Sequence, residues 1–298
     1  MAINWTEAQI AEVVSKVLAQ VQSPAQSSDK EWDSTQYHGR RLIGVFDTME
    51  EAIAAAEAGY KAIRAMSVAQ REKLITTIRE YTRAEAPAMA ALGVAETKMG
   101  RVEHKVAKHI LVADKTPGTE DIVAEAKTGD CGLTLTERAP FGVVGAITPS
   151  TNPSETVICN SMGMIAAGNG VVFNPHPGAI ATSNYAVDLV NRAVHAAGGP
   201  EILVASVKKP TLDTANVMYK HPAIRLLVCT GGPGVVKAVL ASGKKAIGAG
   251  AGNPPVIVDD TADIESLPGC SPSIRLLASL PAHRSQRARY ELCHRSIC

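Results

Sequence analysis

Aromatic side chains are scarce in this sequence: they make up 4%, with Phe 3, Trp 2 and Tyr 6. Any sizeable core must therefore be assembled from Ala, Val, Ile and Leu, drawn from a hydrophobic fraction of 46%. Net charge is also missing. Lys and Arg total 30 against 29 Asp and Glu, a formal balance of +1, so there is no electrostatic case for nucleic acid or an anionic membrane surface as partner. No apolar run approaches the roughly 18 residues of a membrane helix, and the N-terminus carries no secretory signal pattern. The 6 cysteines have neither metal-ligand nor disulfide-framework spacing. No metal site is expected, and a reducing, cytoplasmic setting is. At 298 residues the chain can hold one large or two ordinary domains.

What is present is organised around residues 141–177. A short apolar run (Val143, Val144, Ala146, Ile147) stops at Thr148-Pro149, and a polar turn, Ser150-Thr151-Asn152-Pro153, follows. A helix-like segment then ends in Ala166-Ala167-Gly168-Asn169-Gly170, and a second apolar run, Val171-Val172-Phe173, stops at Asn174-Pro175. Strand, turn, helix and strand at this length make a βαβ unit, which places ligand sites at the carboxyl ends of its strands.

The remainder fits the same class. Thr48 with Glu51 and Ser67 with Gln70 are capping boxes in a helical region from residue 48 to about residue 98, and Leu74, Ile75, Ile78 and Tyr81 trace an apolar stripe within it. Residues 132–136 alternate as a strand does. Helices are expected over residues 184–196, 212–220 and 235–241, with short strands at Ile202-Leu203-Val204, residues 224–228 and Val256-Ile257-Val258. Alternation of this kind predicts an α/β fold on a mostly parallel sheet covered on both faces. Ahead of it, Thr6 and Gln9 form another capping box, and Ile10, Val13, Val14, Val17, Leu18 and Val21 lie on one helical face. An amphipathic helix over residues 1–22, followed by a linker over residues 23–40, needs a groove to cover its stripe, either on another protein or on the main domain.

Candidate site residues gather at the strand ends. Thr230-Gly231-Gly232-Pro233-Gly234 lies between a strand and a helix, where backbone N–H groups can approach a phosphate; a glycine turn needed only for backbone geometry is the plainer reading. The run from Gly248 to Pro255 leaves room for a ligand or is simply a flexible connection. Asn152 could offer its amide to a carbonyl oxygen that becomes an oxyanion, or serve as a turn residue before Pro153. His176 could touch a ligand or cap a strand end. Cys159, in a helix, and Cys229, in a strand, are read as core rather than as nucleophiles.

The motifs T-P-S-T-N-P, A-A-G-N-x-V-x-F-x-P-H-P-G-A, T-G-G-P-G and G-A-G-A-G-N-P-P, in order between residues 43 and 263, resemble the aldehyde dehydrogenase superfamily. More narrowly, they are similar to its CoA-acylating branch, the propionaldehyde and acetaldehyde dehydrogenases of bacterial microcompartments. The resemblance implies a three-layer α/β/α dinucleotide-binding domain over residues 41–265, with an oligomerisation hairpin near residues 130–140. It implies conversion of a small aldehyde, CoA and NAD to acyl-CoA and NADH by a cysteine nucleophile. By position, Asn152 matches the oxyanion amide. Thr148, Pro149, Ser150 and Thr151 would border NAD, and Asn174-Pro175-His176 would meet the adenosine ribose. Thr230, Gly231, Gly232 and Gly234 would lie by the pyrophosphate. Gly248 stands where hydrolytic relatives carry a glutamate base, whose loss would spare the thioester for CoA. Residues 1–22 resemble an encapsulation peptide, implying a shell-protein partner and a microcompartment location; relatives of full length are homo-oligomers.

Beyond Glu265 the likeness ends. Residues 266–298 carry Arg275, Arg284, Arg287, Arg289 and Arg295 without lysine, together with Cys270, Cys293 and Cys298. This aberrant tail has the composition of a shifted reading frame, so most of a catalytic domain is expected to be missing. Leu267-Pro268-Gly269-Cys270 comes too early for the family's nucleophile turn and has an extra glycine, so no catalytic role is expected of Cys270.

Overall fold

The computed structural model describes residues 34–249 and two further short strands, Pro255–Val256 and Cys293–His294, whose backbones pair antiparallel. The expected helix over residues 1–22, the Val256-Ile257-Val258 strand beyond its first residue, and Cys270 lie outside the described residues.

Two strands, β1 (Gln36–Tyr37) and β2 (Arg40–Arg41), make a small hairpin, so regular structure begins inside the segment expected to be linker. The chain then gives β3 (Val45–Phe46), α1 (Met49–Ile63), α2 (Val68–Thr97) and α3 (Val102–Lys115). Both expected capping boxes form, Thr48 with Glu51 and Ser67 with Gln70, and they divide the helical region into α1 and α2. A hairpin of β4 (Glu125–Gly129) and β5 (Gly132–Thr136) follows. Next come β6 (Val143–Thr148), α4 (Pro153–Ala166), β7 (Gly170–Pro175), α5 (Ile180–Ala196) and β8 (Val204–Val207). The order closes with α6 (Leu212–Lys220), β9 (Ile224–Thr230), α7 (Pro233–Leu240) and β10 (Ala246–Ala249).

Six strands form one parallel sheet in the order β10-β9-β6-β7-β8-β3. The strand expected at Ile202-Leu203-Val204 begins instead at Val204, because Asn191 Oδ1 takes the backbone N–H groups of Leu203 and Val204 at 3.0 and 3.1 Å and ends the preceding loop there. Period-two alternation sorts the strand residues between two cores. Ala146, Val171, Phe173 and Val204 face α2, α4 and α5, whereas Val143, Ile147, Val172 and Val207 face α1, α6 and α7. The result is three layers with β6 and β7 buried throughout. Gly145 lets α6 approach β6, since a Cβ there would lie 2.8 Å from Met218 Cγ.

A charge network straps the N-terminal hairpin to α5. Asp188, fully buried, accepts from both Arg40 Nη atoms at 2.7 Å, from Ile43 N–H at 3.0 Å and from Arg192 Nε at 2.8 Å. Arg192 also forks onto Glu85, both bonds 2.8 Å, and Tyr185 donates to the same carboxylate at 2.6 Å. Burial alone would raise the pKa of Asp188, but the bonds from Arg40, Ile43 N–H and Arg192 outweigh it and hold the group below its usual value. A depressed folded-state pKa means the contribution to stability is full above the unfolded carboxylate value, about 4. It is lost as pH falls through the lower, folded-state value. Acid titration of unfolding stability should therefore be steeper below about pH 4 for the native chain than for Asp188→Asn.

Candidate functional site

In the sheet, β6 is flanked by β7 on one side and β9 on the other, so the chain runs outward in both directions from it. Such a reversal leaves a crevice beyond the carboxyl ends of the strands. A cleft of about 540 Å³ opens there, within the usual range of about 300–1,000 Å³ for small-molecule sites.

Three strand ends furnish its walls. The β6 end contributes Thr148, Pro149, Ser150, Thr151 and Asn152; the β7 end contributes Asn174, Pro175 and His176; the β9 end contributes Thr230, Gly231 and Gly232. These are the residues expected from the sequence. Gly234 and Gly248 fall outside the lining. Gly248 has a packing reason to be glycine, since a Cβ on it would come within 2.7 Å of Val236 Cγ1 on α7. Thr211, Leu212, Ala215 and Tyr219 also line the cleft and were not anticipated. Thr211 opens α6 through a reciprocal cap with Thr214, whose hydroxyl also reaches Asn174 Oδ1 at 2.7 Å.

Each lining group has a definite local state. A Cβ on Gly231 or Gly232 would meet nothing within 4 Å, so the lack of a side chain there serves no packing need of the described protein and leaves the backbone open to a ligand. Thr148 Oγ1 is buried without a hydrogen-bond partner among the described residues. Open backbone at the start of α7 and an unpaired hydroxyl suit a phosphate-bearing, polyhydroxylated ligand. His176 accepts from Gly178 N–H through Nδ1 at 3.0 Å, capping the short 3₁₀ turn Pro177–Ala179 rather than the strand end, while its ring still borders the cleft.

The Asn152 end is built by a helix that carried no clear sequence signal, α3. Lys108 Nζ lies 3.0 Å from Asn152 Oδ1, and Lys105 Nζ lies 3.5 Å from the same atom. Lys105 also donates to Thr151 O at 2.5 Å and pairs with Glu155 Oε1 at 3.1 Å, both side chains of that pair being about 5% exposed. Below them His109 Nδ1 is 2.7 Å from Lys105 O and Nε2 is 2.8 Å from Ser154 Oγ. A carbonyl only accepts, so Nδ1 carries the proton; in the neutral ring Nε2 then accepts from the Ser154 hydroxyl, whose other acceptor within reach is Glu155 Oε2 at 3.3 Å. Burial pushes the His109 pKa down, which keeps the ring in that neutral form.

No described cysteine lines the cleft. Cys229 is core, as expected, and burial pushes its thiol up to about 11, so it is inert at neutral pH. Cys159 sits on α4 as expected but is exposed, contrary to its reading as core: it falls on the outer face of a helix whose apolar side is formed by Val157, Ile158, Met162 and Ile165. Among the described residues no group of His, Cys, Asp and Glu could hold a metal ion, and no helix is long and apolar enough to cross a membrane.

A parallel sheet between helix layers, with a glycine turn and two polar strand ends around one crevice, defines a three-layer α/β unit of the doubly wound kind. The aldehyde dehydrogenase family matches residues 44–269, and this chain belongs to it. Acetaldehyde dehydrogenase (acetylating) EutE of Escherichia coli is 47% identical over 256 residues, covering 86% of this chain and 52% of the relative. Propanal dehydrogenase (CoA-propanoylating) of Citrobacter freundii is 45% identical, covering 74% of this chain and 48% of its own length. Among solved structures, a propionaldehyde dehydrogenase from the Clostridium phytofermentans fucose utilisation bacterial microcompartment is 60% identical with a TM-score of 0.71, covering 74% of this chain and 51% of that one. The propionaldehyde dehydrogenase of Rhodopseudomonas palustris, solved with bound propionyl-CoA, is 49% identical with a TM-score of 0.70, covering 80% and 53%. The chain spans about half the length of the curated relatives it matches.

Proposed function

We propose that this chain is the nucleotide-holding half of a CoA-acylating aldehyde dehydrogenase, taking a small aldehyde, CoA and NAD⁺ to acyl-CoA, NADH and a proton. The observation that carries the proposal is the single cleft into which the β6, β7 and β9 ends bring Thr148, Asn152, Asn174, His176 and Gly231 together. In it, Gly231 and Gly232 hold the pyrophosphate, while Asn174, Pro175 and His176 border the adenosine ribose. Thr148, Pro149, Ser150 and Thr151 flank the nicotinamide end. NAD supplies the hydride acceptor when bound, and CoA supplies the thiol that carries the acyl group away. Asn152 faces the carbonyl oxygen as negative charge builds on it, an interaction on the order of 3 kcal/mol in such sites.

The thiol that attacks the aldehyde must come from outside residues 34–249, because the described cysteines stand away from the cleft. That observation favours a second reading, a non-catalytic nucleotide-binding or shell-docking product. One assay separates the two. NADH formation from propionaldehyde, CoA and NAD⁺, abolished by Cys270→Ala, supports the enzyme and assigns its nucleophile; nucleotide affinity without turnover supports the second reading. Absence of both turnover and NADH affinity in a fluorescence titration removes the nucleotide proposal.

The apolar face of Ile10, Val13, Val14, Val17, Leu18 and Val21 would dock to a microcompartment shell protein, placing the chain inside that compartment in the cytoplasm. The β4–β5 hairpin, with Leu133 and Leu135 68% and 61% exposed, would be covered by another subunit of a homo-oligomer.

A further inference from the structure

We infer that Lys105 and Lys108 are positioning residues that turn the amide hydrogens of Asn152 into the cleft. The inference rests on the reading of Asn152 as the oxyanion donor. An amide side chain has two faces of opposite sense, an accepting oxygen and a donating NH₂, and only one of them can serve a developing oxyanion. Ammonium groups donate and never accept, so the atom 3.0 Å from Lys108 Nζ and 3.5 Å from Lys105 Nζ has to be the oxygen. The NH₂ is then left on the opposite side, without a hydrogen bond to any described residue.

The local sequence makes this orientation unexpected. Asn152 is the N-cap of α4, where an Asn oxygen ordinarily accepts a backbone N–H from the first turn, yet its side chain makes no capping bond. Lysines on α3 hold that oxygen instead. Lys105 is itself fixed by Glu155 and Thr151 O, and α3 is locked to α4 beneath it by the His109–Ser154 bond. Glu155 thereby neutralises a buried cation while leaving its N–H groups available to the turn. Charge-assisted bonds to an amide oxygen also draw electron density from the nitrogen, which strengthens its N–H groups as donors.

The test reads the amide itself. The full chain is labelled with ¹⁵N at asparagine, and the Asn152 side-chain signal is assigned by its loss in Asn152→Asp. The squared order parameter of that NH₂ should fall clearly in Lys108→Ala, into the range below about 0.6 that marks flexible groups. Lys108→Arg, which keeps a donor, should restore it. A role in stability alone would lower the melting temperature without moving this signal. Lys105→Met should loosen the amide further; if that variant does not fold, exposed Lys108 still decides the matter. An Asn152 amide equally rigid in the native chain and Lys108→Ala overturns the inference. NADH titration of the same samples is read separately: no affinity in the native chain would remove the nucleotide reading whatever the amide does.

Discussion

Replacing Glu155 by Leu is expected to destabilise the folded chain by about 3–5 kcal/mol, the usual cost of leaving one member of a buried ion pair without its partner. Lys105 and Glu155 are 5% and 6% exposed, and without the carboxylate Lys105 keeps only the neutral acceptors Thr151 O and Asn152 Oδ1. The double variant Lys105→Met with Glu155→Leu should recover most of that loss, because apolar groups of similar volume remove the desolvation cost of both charges. Urea unfolding measures both, and the loss should persist at high salt, which screens a buried pair little. A single-variant cost below about 1 kcal/mol would place the pair among ordinary surface contacts. Lys61–Glu57, 72% and 43% exposed, is such a contact.

That pair was beyond reach of the sequence for a physical reason. Helix α3 begins at Val102 behind Arg101, which offers no capping side-chain bond, and its buried positions include Lys105 and His109 among the apolar Val102, Val106 and Ala113. The usual signals of a helix start and an apolar stripe are both blurred. Its contacts to Asn152 and Glu155 span 44 to 50 residues, a distance no local pattern records. Where local rules do govern, the expectation and the structure agree closely. The helix expected over residues 212–220 is α6, and the alternating residues 132–136 are β5. Strand ends at Thr148, Asn174 and Thr230 were legible because each apolar run stops at a proline or glycine turn, and a parallel sheet then gathers those ends on one side. Leu212 and Tyr219 carry no such punctuation. They reach the cleft only because α6 crosses back over the sheet between β8 and β9.

The coupling between core and cleft is sharpest at Phe173. Among the described residues it is the largest fully buried side chain; it sits in the second strand of the central pair and immediately precedes Asn174. Phe173→Ala should cost about 3–5 kcal/mol, from lost burial together with the cavity left between β7 and the α2, α4 and α5 layer. Phe173→Leu removes less volume and should cost a smaller amount. Because Phe173 points away from α6 while the cleft is formed by the strand ends beyond it, the two properties can be separated. If the cavity stays local, NAD⁺ at about 100 times its dissociation constant should stabilise the native chain and the variant alike, by about 2.7 kcal/mol. Thermal unfolding with and without NAD⁺ gives that increment directly. An increment lost in Phe173→Ala would mean that the Asn174–Pro175–His176 turn is held in place by the ring beneath it, making core packing part of the proposed nucleotide site.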